Sequence, residues 1–367
     1  MGWDGARFRA MRVLIIGGTG LISTAIVDQL LERGDDVTIF NRGVTAVRVA
    51  GAERVRMLRG DRHDFAAFEA EMHDATARHR FDAVIDMVAF QPEEAESLLR
   101  AFGGRVKQIV VCSTVCVYGG PMTRVPATDD EPHRPVTQYG RNKSAIERTL
   151  LAANGRDGLH TTVLRPSFTT GEGHTLGGAV MFDDSTLERF RQGRPIVVHD
   201  DGQTPWAIAH VSDVARGFVG ALLNDRAYGQ SYHLTSDEHT TWDGVYRAMA
   251  QAAEGQAQAP GRSPFVHIPT RWLADVAPRR TAGINFIYQY GSTFDNAKAA
   301  RDLGFRTSVP LVETFRRQIA WMEANRKVVR VEDEPFQDLL IDAFEKKQRP
   351  AAERLNDFNP WGNETAL

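Results

Sequence analysis

The sequence predicts an α/β fold in which a doubly wound parallel sheet carries a smaller C-terminal cap. Three observations support this fold class: apolar runs alternate with helical patterns over residues 11–167, a glycine turn directly follows the first run, and the alternation becomes irregular after Gly171. Short apolar runs separated by helices are typical of parallel strands that are buried on both faces. The chain has 367 residues, enough for one large domain or two ordinary ones.

The first βαβ unit occupies residues 11–43. Residues 13–16 form an apolar run that predicts a buried strand, a helical pattern begins at Leu21, and residues 37–40 predict a second strand. The turn between the first strand and the helix contains three glycines, Gly17, Gly18 and Gly20.

The same alternation continues along the chain. Strands are predicted at residues 54–58, 83–89, 108–117 and 161–167, and helices at residues 65–78, 92–101 and 137–154. In the less regular part, helices are predicted at residues 185–192, 212–223 and 242–254, and strands at residues 195–199 and 230–235. Ligands of such sheets bind beyond the carboxyl ends of the strands, so the residues that follow each strand are the candidates for a site.

These patterns predict four parts of the chain. They are a loose leader at residues 1–10, a nucleotide-binding domain at residues 11–175 to which residues 205–235 return, a cap made of residues 176–204 and 236–325, and a charged helical tail at residues 326–367.

Composition narrows the cellular setting. The net charge is −3, which gives the whole protein no attraction to nucleic acid or to an anionic membrane. No apolar run has the length of a membrane span and the first ten residues contain no hydrophobic signal core, so we expect a cytoplasmic protein. Cys112 and Cys116 lie in one predicted strand about 13 Å apart, too far to bond, and are expected to be free thiols.

The glycine turn predicts a dinucleotide site of the Rossmann type. Gly17-x-x-Gly20-x-x-Ser23 stands between a predicted strand and a predicted helix, where free backbone N–H groups and the helix dipole favour a pyrophosphate. We therefore expect Gly17, Gly20, Leu21 and Ile22 to contact the dinucleotide. A tight structural turn is the alternative.

Tyr139 and Lys143 are the candidates for proton transfer. They lie four residues apart in a predicted helix, on one face, and a nearby ammonium favours the phenolate and lowers the pKa of a tyrosine. Thr114, at the end of the fifth predicted strand, can hold the reacting oxygen beside Tyr139. The alternative for Tyr139 and Lys143 is an exposed pair on a helix surface. The alternative for Thr114 is a purely structural role.

The ordered motifs of residues 11–321 resemble those of the extended short-chain dehydrogenase/reductase family, a group of sugar epimerases, dehydratases and reductases. The motifs are the glycine turn, Gly60-Asp61, Ser113-Thr114 with Tyr118-Gly119, Tyr139-x-x-x-Lys143, Leu164-Arg165-Pro166, His210-Val-x-Asp213 and Phe294-Asp-Asn-Ala-Lys298. The resemblance implies an NAD(P)-binding Rossmann domain with a substrate-binding cap. It makes Tyr139 the acid/base, with Lys143 tuning it and holding the nicotinamide ribose, and Thr114 orienting the substrate oxygen.

The resemblance also assigns the other cofactor contacts. Asp61, with Arg62 beside it, reaches the adenine, and Pro166 lies near the nicotinamide. The residues expected to pass beside the cofactor are Met87, Val88 and Ala89. No set of histidines has metal-like partners, so no metal is expected.

Departures from the family pattern narrow the chemistry. Asn41-Arg42 follows the second strand where NAD-preferring members carry an acid, and an arginine suits a 2′-phosphate, so NADP is favoured over NAD. Cys116 stands where GDP-mannose 3,5-epimerase carries a catalytic cysteine, and is either a thiolate base or a small core residue. Phe168 and Trp206 occupy the region where UDP-galactose 4-epimerase grips its nucleotide diphosphate, which makes a less charged sugar or polyol possible as the substrate. The alternative is that both aromatics belong to the core.

The leading expectation is an NAD(P)-dependent epimerase that oxidises a sugar-like small molecule transiently to a ketone. One alternative is an NADP-dependent ketoreductase or dehydrogenase of a sugar-like substrate. Another is a non-catalytic dinucleotide- or RNA-binding member of the same fold. Relatives form dimers through the helices at residues 92–101 and 137–154, so a homodimer is expected.

Overall fold

The computed structural model describes residues 10–180, 183–253 and 263–346. Almost all of the expected leader, and residues 347–367 of the expected tail, lie outside the described residues. In chain order the strands are β1 (Arg12–Ile16), β2 (Asp36–Asn41), β3 (Arg56–Arg59), β4 (Ala83–Asp86), β5 (Gln108–Cys112), β6 (His160–Pro166), β7 (Phe168–Thr170), β8 (Ile196–His199), β9 (Pro205–His210), β10 (Gln230–Leu234), β11 (His239–Thr241) and β12 (Phe265–Ile268).

The described helices flank these strands. They are α1 (Leu21–Arg33), α2 (Phe65–His79), α3 (Pro92–Phe102), α4 (Gln138–Ala152), α5 (Thr186–Arg191), α6 (Val211–Ala221), α7 (Trp242–Ala253), α8 (Thr270–Val276), α9 (Ala297–Leu303), α10 (Leu311–Ala324) and α11 (Phe336–Glu345). None of the helices in the described ranges is both long and apolar enough to cross a bilayer.

A seven-stranded sheet forms the centre of the molecule, in the order β10-β6-β5-β4-β1-β2-β3, and every neighbouring pair is parallel. Side chains alternate across it, as expected for strands. Val13 and Ile15 pack with α1 and α6 on one face, whereas Leu14 and Ile16 pack with α2 and α3 on the other. The predicted doubly wound α/β fold is confirmed.

Two predicted strands end earlier than expected. β4 ends at Asp86, whose carboxylate accepts the N–H of Val88 at 2.8 Å and turns the chain out of the sheet. β5 ends at Cys112, and Thr114 caps a short 3₁₀ turn at Val115–Val117 with its hydroxyl. Cys112 and Cys116 therefore do not share a strand, so the distance predicted from the strand rise does not apply. Both cysteines are free thiols, as expected.

The cap has its own core. Strands β11, β9 and β7 form one small sheet, and β12 pairs with β8. Residues 205–235 divide between the two parts, because β10 joins the central sheet and α6 packs on α1, whereas β9 belongs to the small sheet. Helix α11 buries Phe336, Leu340 and Ile341 in the cap core. Within the described part of the expected tail, α11 is therefore an amphipathic helix that packs on the cap core.

Candidate active site

A long cleft opens at the carboxyl ends of β1 and β4, the point where the strand order reverses. Its two parts share a wall made of Gly17, Thr19, Val88 and Phe90. One part is named the adenosine side after the moiety expected there, and it is bordered by Asn41, Arg42, Asp61 and Arg62. The other part, named the nicotinamide side on the same expectation, is bordered by Gly20, Leu21, Ile22, Met87, Thr114, Tyr139, Lys143 and Pro166. Ligands of doubly wound sheets bind at this position.

The glycine turn leaves room for a close approach to the start of α1. Gly17 has φ +106°, and a Cβ there would lie 3.1 Å from the Val88 side chain. Gly20 is the N-cap of α1, and its N–H donates to the Ser23 hydroxyl at 2.9 Å. Ser23 replaces the usual third glycine and is buried. The cradle fits a pyrophosphate, because a side chain at Gly17 would fill it and the free N–H groups of α1 favour an anion.

Asn41 and Arg42 have different roles on the adenosine side. The Asn41 carboxamide donates to the Gly17 carbonyl at 3.2 Å and accepts the Gly43 N–H at 2.8 Å, so it shapes the turn. Arg42 is exposed beside Asp61. Hydrogen bonds from His63 are the main cause of the lowered pKa of Asp61, and Arg42 contributes. Asp61 is therefore an exposed carboxylate at the position expected for an adenine contact.

Arg62 borders the cleft, but its guanidinium pairs with two carboxylates behind the cleft wall. It is 6% exposed, lies 3.0 Å from Asp86 and 3.5 Å from Glu94, and stacks over the Phe68 ring at 4.7 Å. Its charge is balanced by two carboxylates that are themselves buried. Arg62 therefore supports the cleft wall, and its predicted contact with the cofactor stays a prediction.

Ala89 is likewise misplaced by the prediction. It is completely buried and packs with Ile146 and Leu150 of α4. Met87 and Val88 border the nicotinamide side as predicted, whereas Ala89 belongs to the core behind them.

The structure brings Tyr139, Lys143 and Thr114 together. Helix α4 begins after Thr137, whose hydroxyl accepts the N–H of Gly140 at 3.0 Å. The Lys143 ammonium donates to the Cys112 carbonyl at 2.7 Å and lies 5.7 Å from the centroid of the Tyr139 ring. Strand β5 thus fixes the lysine, and α4 places the phenol next to it.

Burial dominates the protonation of this group. It raises the pKa of Tyr139 above the ordinary tyrosine range, although a hydrogen bond with Thr114 acts in the opposite direction. It also lowers the pKa of Lys143, and the charges of Asp86 and Glu94 oppose that change. The expected lowering of the Tyr139 pKa by Lys143 is therefore wrong for the protein alone, because desolvation of a phenolate outweighs the favourable contacts.

Cys116 lies beside the site in a smaller side cleft, which it lines together with Thr137 and Tyr290. A Cβ at Gly140 would lie 2.5 Å from the Cys116 carbonyl oxygen, so this glycine allows α4 to approach the turn. Burial raises the pKa of the Cys116 thiol. A raised pKa disfavours the thiolate that a general base requires, and the catalytic role predicted for Cys116 has no support here.

The two predicted substrate aromatics pack in the cap. Trp206 is 3% exposed, and its ring lies 5.0 Å from Trp242 and 5.1 Å from Tyr288. It is part of the cap core, which corrects its prediction as a substrate contact. Phe168 is half-buried and meets Trp206 edge-on at 6.3 Å. Its substrate contact stays a prediction.

Phe90 is a cleft residue that the sequence prediction missed. It is 45% exposed, borders both parts of the cleft, and lies with its ring 4.7 Å from the Lys143 ammonium. Ser167 and Thr169 were also missed, on the nicotinamide side. All three follow the strands β4 and β6, so the rule that ligands bind after strand ends was a signal that indicated them. Within the described ranges, no group of three or more His, Cys, Asp or Glu residues is arranged to hold a metal ion.

Comparisons with known proteins agree with this geometry. The 2'-dehydrokanamycin reductase of Streptomyces kanamyceticus is 31% identical over 267 residues, which are 72% of this chain and 71% of that protein. The chloroplast stem-loop binding protein of 41 kDa b of Arabidopsis thaliana is 27% identical over 255 residues, 66% of this chain and 63% of that protein. A solved UDP-glucose 4-epimerase of Thermotoga maritima with UDP-glucose shares the fold, with TM-score 0.68 and 21% identity over 86% of this chain and 100% of that one.

The family model agrees with the resemblance that the motifs indicated. The model of the NAD dependent epimerase/dehydratase family matches residues 13–234, which include the glycine turn, Thr114, Tyr139 and Lys143. The chain belongs to the NAD dependent epimerase/dehydratase family.

Proposed function

We propose that this protein is an NAD(P)-dependent ketoreductase that reduces a ketone on a sugar-like small molecule. One observation carries the proposal: Tyr139, Lys143 and Thr114 border the same cleft as the glycine turn. When bound there, the reduced nicotinamide supplies the hydride to the carbonyl carbon.

The protein's own residues complete the reaction. The Tyr139 hydroxyl gives its proton to the carbonyl oxygen, and the Thr114 hydroxyl orients that oxygen. A phenol is protonated at neutral pH, so Tyr139 can donate the proton that the reduced oxygen takes up. Lys143, fixed by the Cys112 carbonyl, holds the nicotinamide ribose.

The substrate we propose is not linked to a nucleotide. Among the described residues that border the nicotinamide side, Lys143 is the only cation, so no arginine is available there for a diphosphate. The 31% identical relative is named 2'-dehydrokanamycin reductase, which supports a substrate of this kind. Epimerisation, the leading expectation from the sequence, uses the same three residues in both directions and is the second candidate.

An absorbance assay tests the proposal. We expect the protein with NADPH and 2'-dehydrokanamycin or a related keto sugar to give a steady loss of absorbance at 340 nm that matches the alcohol formed. Formation of an isomer from UDP-glucose without net absorbance change would support epimerisation instead. If no keto sugar or sugar nucleotide reacts, a non-catalytic dinucleotide- or RNA-binding role gains, and the ketoreductase proposal is lost.

We propose NADPH as the preferred cofactor because of the arginines at the adenosine side. Arg42 is exposed there, and Arg59 on β3 pairs in register with Asn41 and lies over Gly43. We expect Arg42→Ala to raise the NADPH Kd roughly 10- to 150-fold, since a charged hydrogen bond is worth about 1.5–3 kcal/mol, and to leave the NADH Kd nearly unchanged. Fluorescence titration measures both constants.

Arg48 provides the matched control for this prediction. It is exposed in the same connection but does not border the cleft, so Arg48→Ala is expected to change neither Kd. Equal weakening of NADPH and NADH by Arg42→Ala would contradict recognition of a 2′-phosphate.

We also propose a cytoplasmic homodimer, without a nucleic-acid partner, in which α3 and α4 form the interface. These helices pack side by side over a shared core that contains Ala95, Ile146 and Leu150. Their outer faces lie on the side of the sheet opposite α1 and α6 and are available to a second copy.

A further inference from the structure

A buried ion pair lies beneath the candidate active site. Glu147 and Arg165 are 1% and 3% exposed, and the Arg165 guanidinium donates through Nε and Nη2 to both carboxylate oxygens of Glu147 at 2.5–3.1 Å. The Ser113 hydroxyl donates to the same carboxylate. Arg165 also donates to the Tyr118 hydroxyl at 2.7 Å, and that hydroxyl lies 2.6 Å from His233.

Three members of this cluster lie next to residues of the site, and Ser113 itself borders the cleft. Ser113 precedes Thr114, and Arg165 precedes Pro166. Glu147 lies on α4 one turn after Lys143 and two turns after Tyr139. Three segments that are distant in sequence, the ends of β5 and β6 and the helix α4, therefore meet at one carboxylate.

The cluster is satisfied as well as buried. Glu147 receives hydrogen bonds from Ser113 and Arg165, and the remaining Arg165 donors reach Tyr118, His133 and the Asp129 carbonyl. A buried polar network whose members are all paired holds its segments in one arrangement, whereas an unpaired charge in it is costly.

We propose that Glu147 and Arg165 are positioning residues that, through Ser113, hold the Thr114 and Tyr139 hydroxyls in the arrangement needed for proton transfer. The measurement of kcat rests on the proposed function. The position of the Tyr139 side chain can be measured without turnover, so failure of the positioning role can be distinguished from failure of the proposed function.

A purely structural role is the competing explanation, and the cap offers a matched control. Arg189 is completely buried and pairs with Asp338 at 2.5 Å, remote in the fold from Tyr139 on the surface of the cap core. Asp338 is 33% exposed and also pairs with Arg194, so Asp338→Asn weakens a pair with a buried arginine without leaving as much buried charge as Glu147→Gln. It controls for the loss of a partner of a buried arginine away from the site.

The experiment compares Glu147→Gln, Ser113→Ala and Asp338→Asn below their unfolding temperatures. We expect Glu147→Gln to lower kcat for keto-sugar reduction about 10- to 100-fold with KM and the NADPH Kd within about twofold, because small displacements of reacting groups cost up to about 10²-fold. Ser113→Ala, which leaves no buried charge unpaired, is expected to lower kcat with little loss of stability. Glu147→Asp, which keeps the charge, is expected to recover part of the rate.

The activity-independent readout is ¹⁹F NMR of protein labelled with 3-fluorotyrosine, in which Tyr139→Phe identifies the Tyr139 resonance. We expect that resonance to shift or broaden in Glu147→Gln and Ser113→Ala and to stay unchanged in Asp338→Asn. An unchanged Tyr139 resonance in Glu147→Gln, or a kcat equal to that of the unmodified protein, overturns the positioning role. If the unmodified protein turns over no substrate, the proposed function fails while the resonance still decides this inference.

Discussion

Tyr139→Phe is expected to lower kcat for ketone reduction by about 10²- to 10⁴-fold, the usual contribution of a positioned general acid. The change removes one oxygen atom and keeps the ring that packs against Phe90 at 6.3 Å, so the fold and the cleft should survive. The NADPH Kd is expected to stay within about twofold, because a proton given only in the transition state adds little to ground-state binding. Steady-state kinetics at 340 nm and fluorescence titration measure the two quantities.

Tyr246→Phe is the control for the loss of a buried tyrosine hydroxyl. Its hydroxyl accepts the Ala179 N–H at 2.7 Å inside the cap, so its removal affects stability and leaves kcat nearly unchanged. If the Tyr139→Phe protein kept more than half of its turnover, Tyr139 would not be the proton donor. The non-catalytic alternative would then be favoured.

The predicted site residues that the structure places at the cleft depend on local patterns. Gly17 and Gly20 follow an apolar strand directly, and Tyr139 and Lys143 are related by the helical repeat alone. Such local patterns do not predict how deeply a side chain is buried. The pKa of Tyr139 depends on burial by segments far away in sequence, so the spacing to Lys143 predicted the neighbour but not the direction of the pKa shift.

The cap was the least predictable part for a related reason. Strands β7 and β11 have three residues each, too few for an alternating pattern to stand out, and each pairs with β9 from elsewhere in the chain. Trp206 was assigned to the substrate on its position in the family pattern. Three aromatic residues that pack against it come from β7, α7 and the π-helix Ile284–Tyr288.

Arg62 is the residue at which motif and packing disagree most. It follows Asp61 in the strand-end motif, which predicted a cofactor contact. Its partners Asp86 and Glu94 come from the end of β4 and from α3, and neither is exposed at all. The Arg62 guanidinium therefore pairs with carboxylates of the protein. Substitution of Arg62 is expected to lower the stability of the fold more than the affinity for the cofactor.

Arg62→Met is expected to lower the free energy of unfolding by about 3–5 kcal/mol, the usual cost of leaving buried charges without their partner. Methionine is an unbranched side chain of similar length, but it removes the guanidinium that lies over the Phe68 ring and balances neither Asp86 nor Glu94. Denaturant unfolding followed by circular dichroism measures the change. Arg62→Lys keeps a positive charge, so a smaller loss is expected and this variant should remain folded for binding measurements.

Arg56, which forms an exposed pair with Asp36, is the control for the stability lost when an arginine is replaced at any position. Their side chains are 41% and 45% exposed at 3.3 Å, and solvent-exposed pairs contribute about 0–1 kcal/mol, so Arg56→Met should unfold almost like the unmodified protein. The decisive comparison is made in folded Arg62→Lys. If its stability is unchanged and its NADPH Kd rises tenfold, Arg62 holds the cofactor after all. If its stability falls and the Kd does not, the guanidinium acts by neutralising the two carboxylates behind the cleft wall.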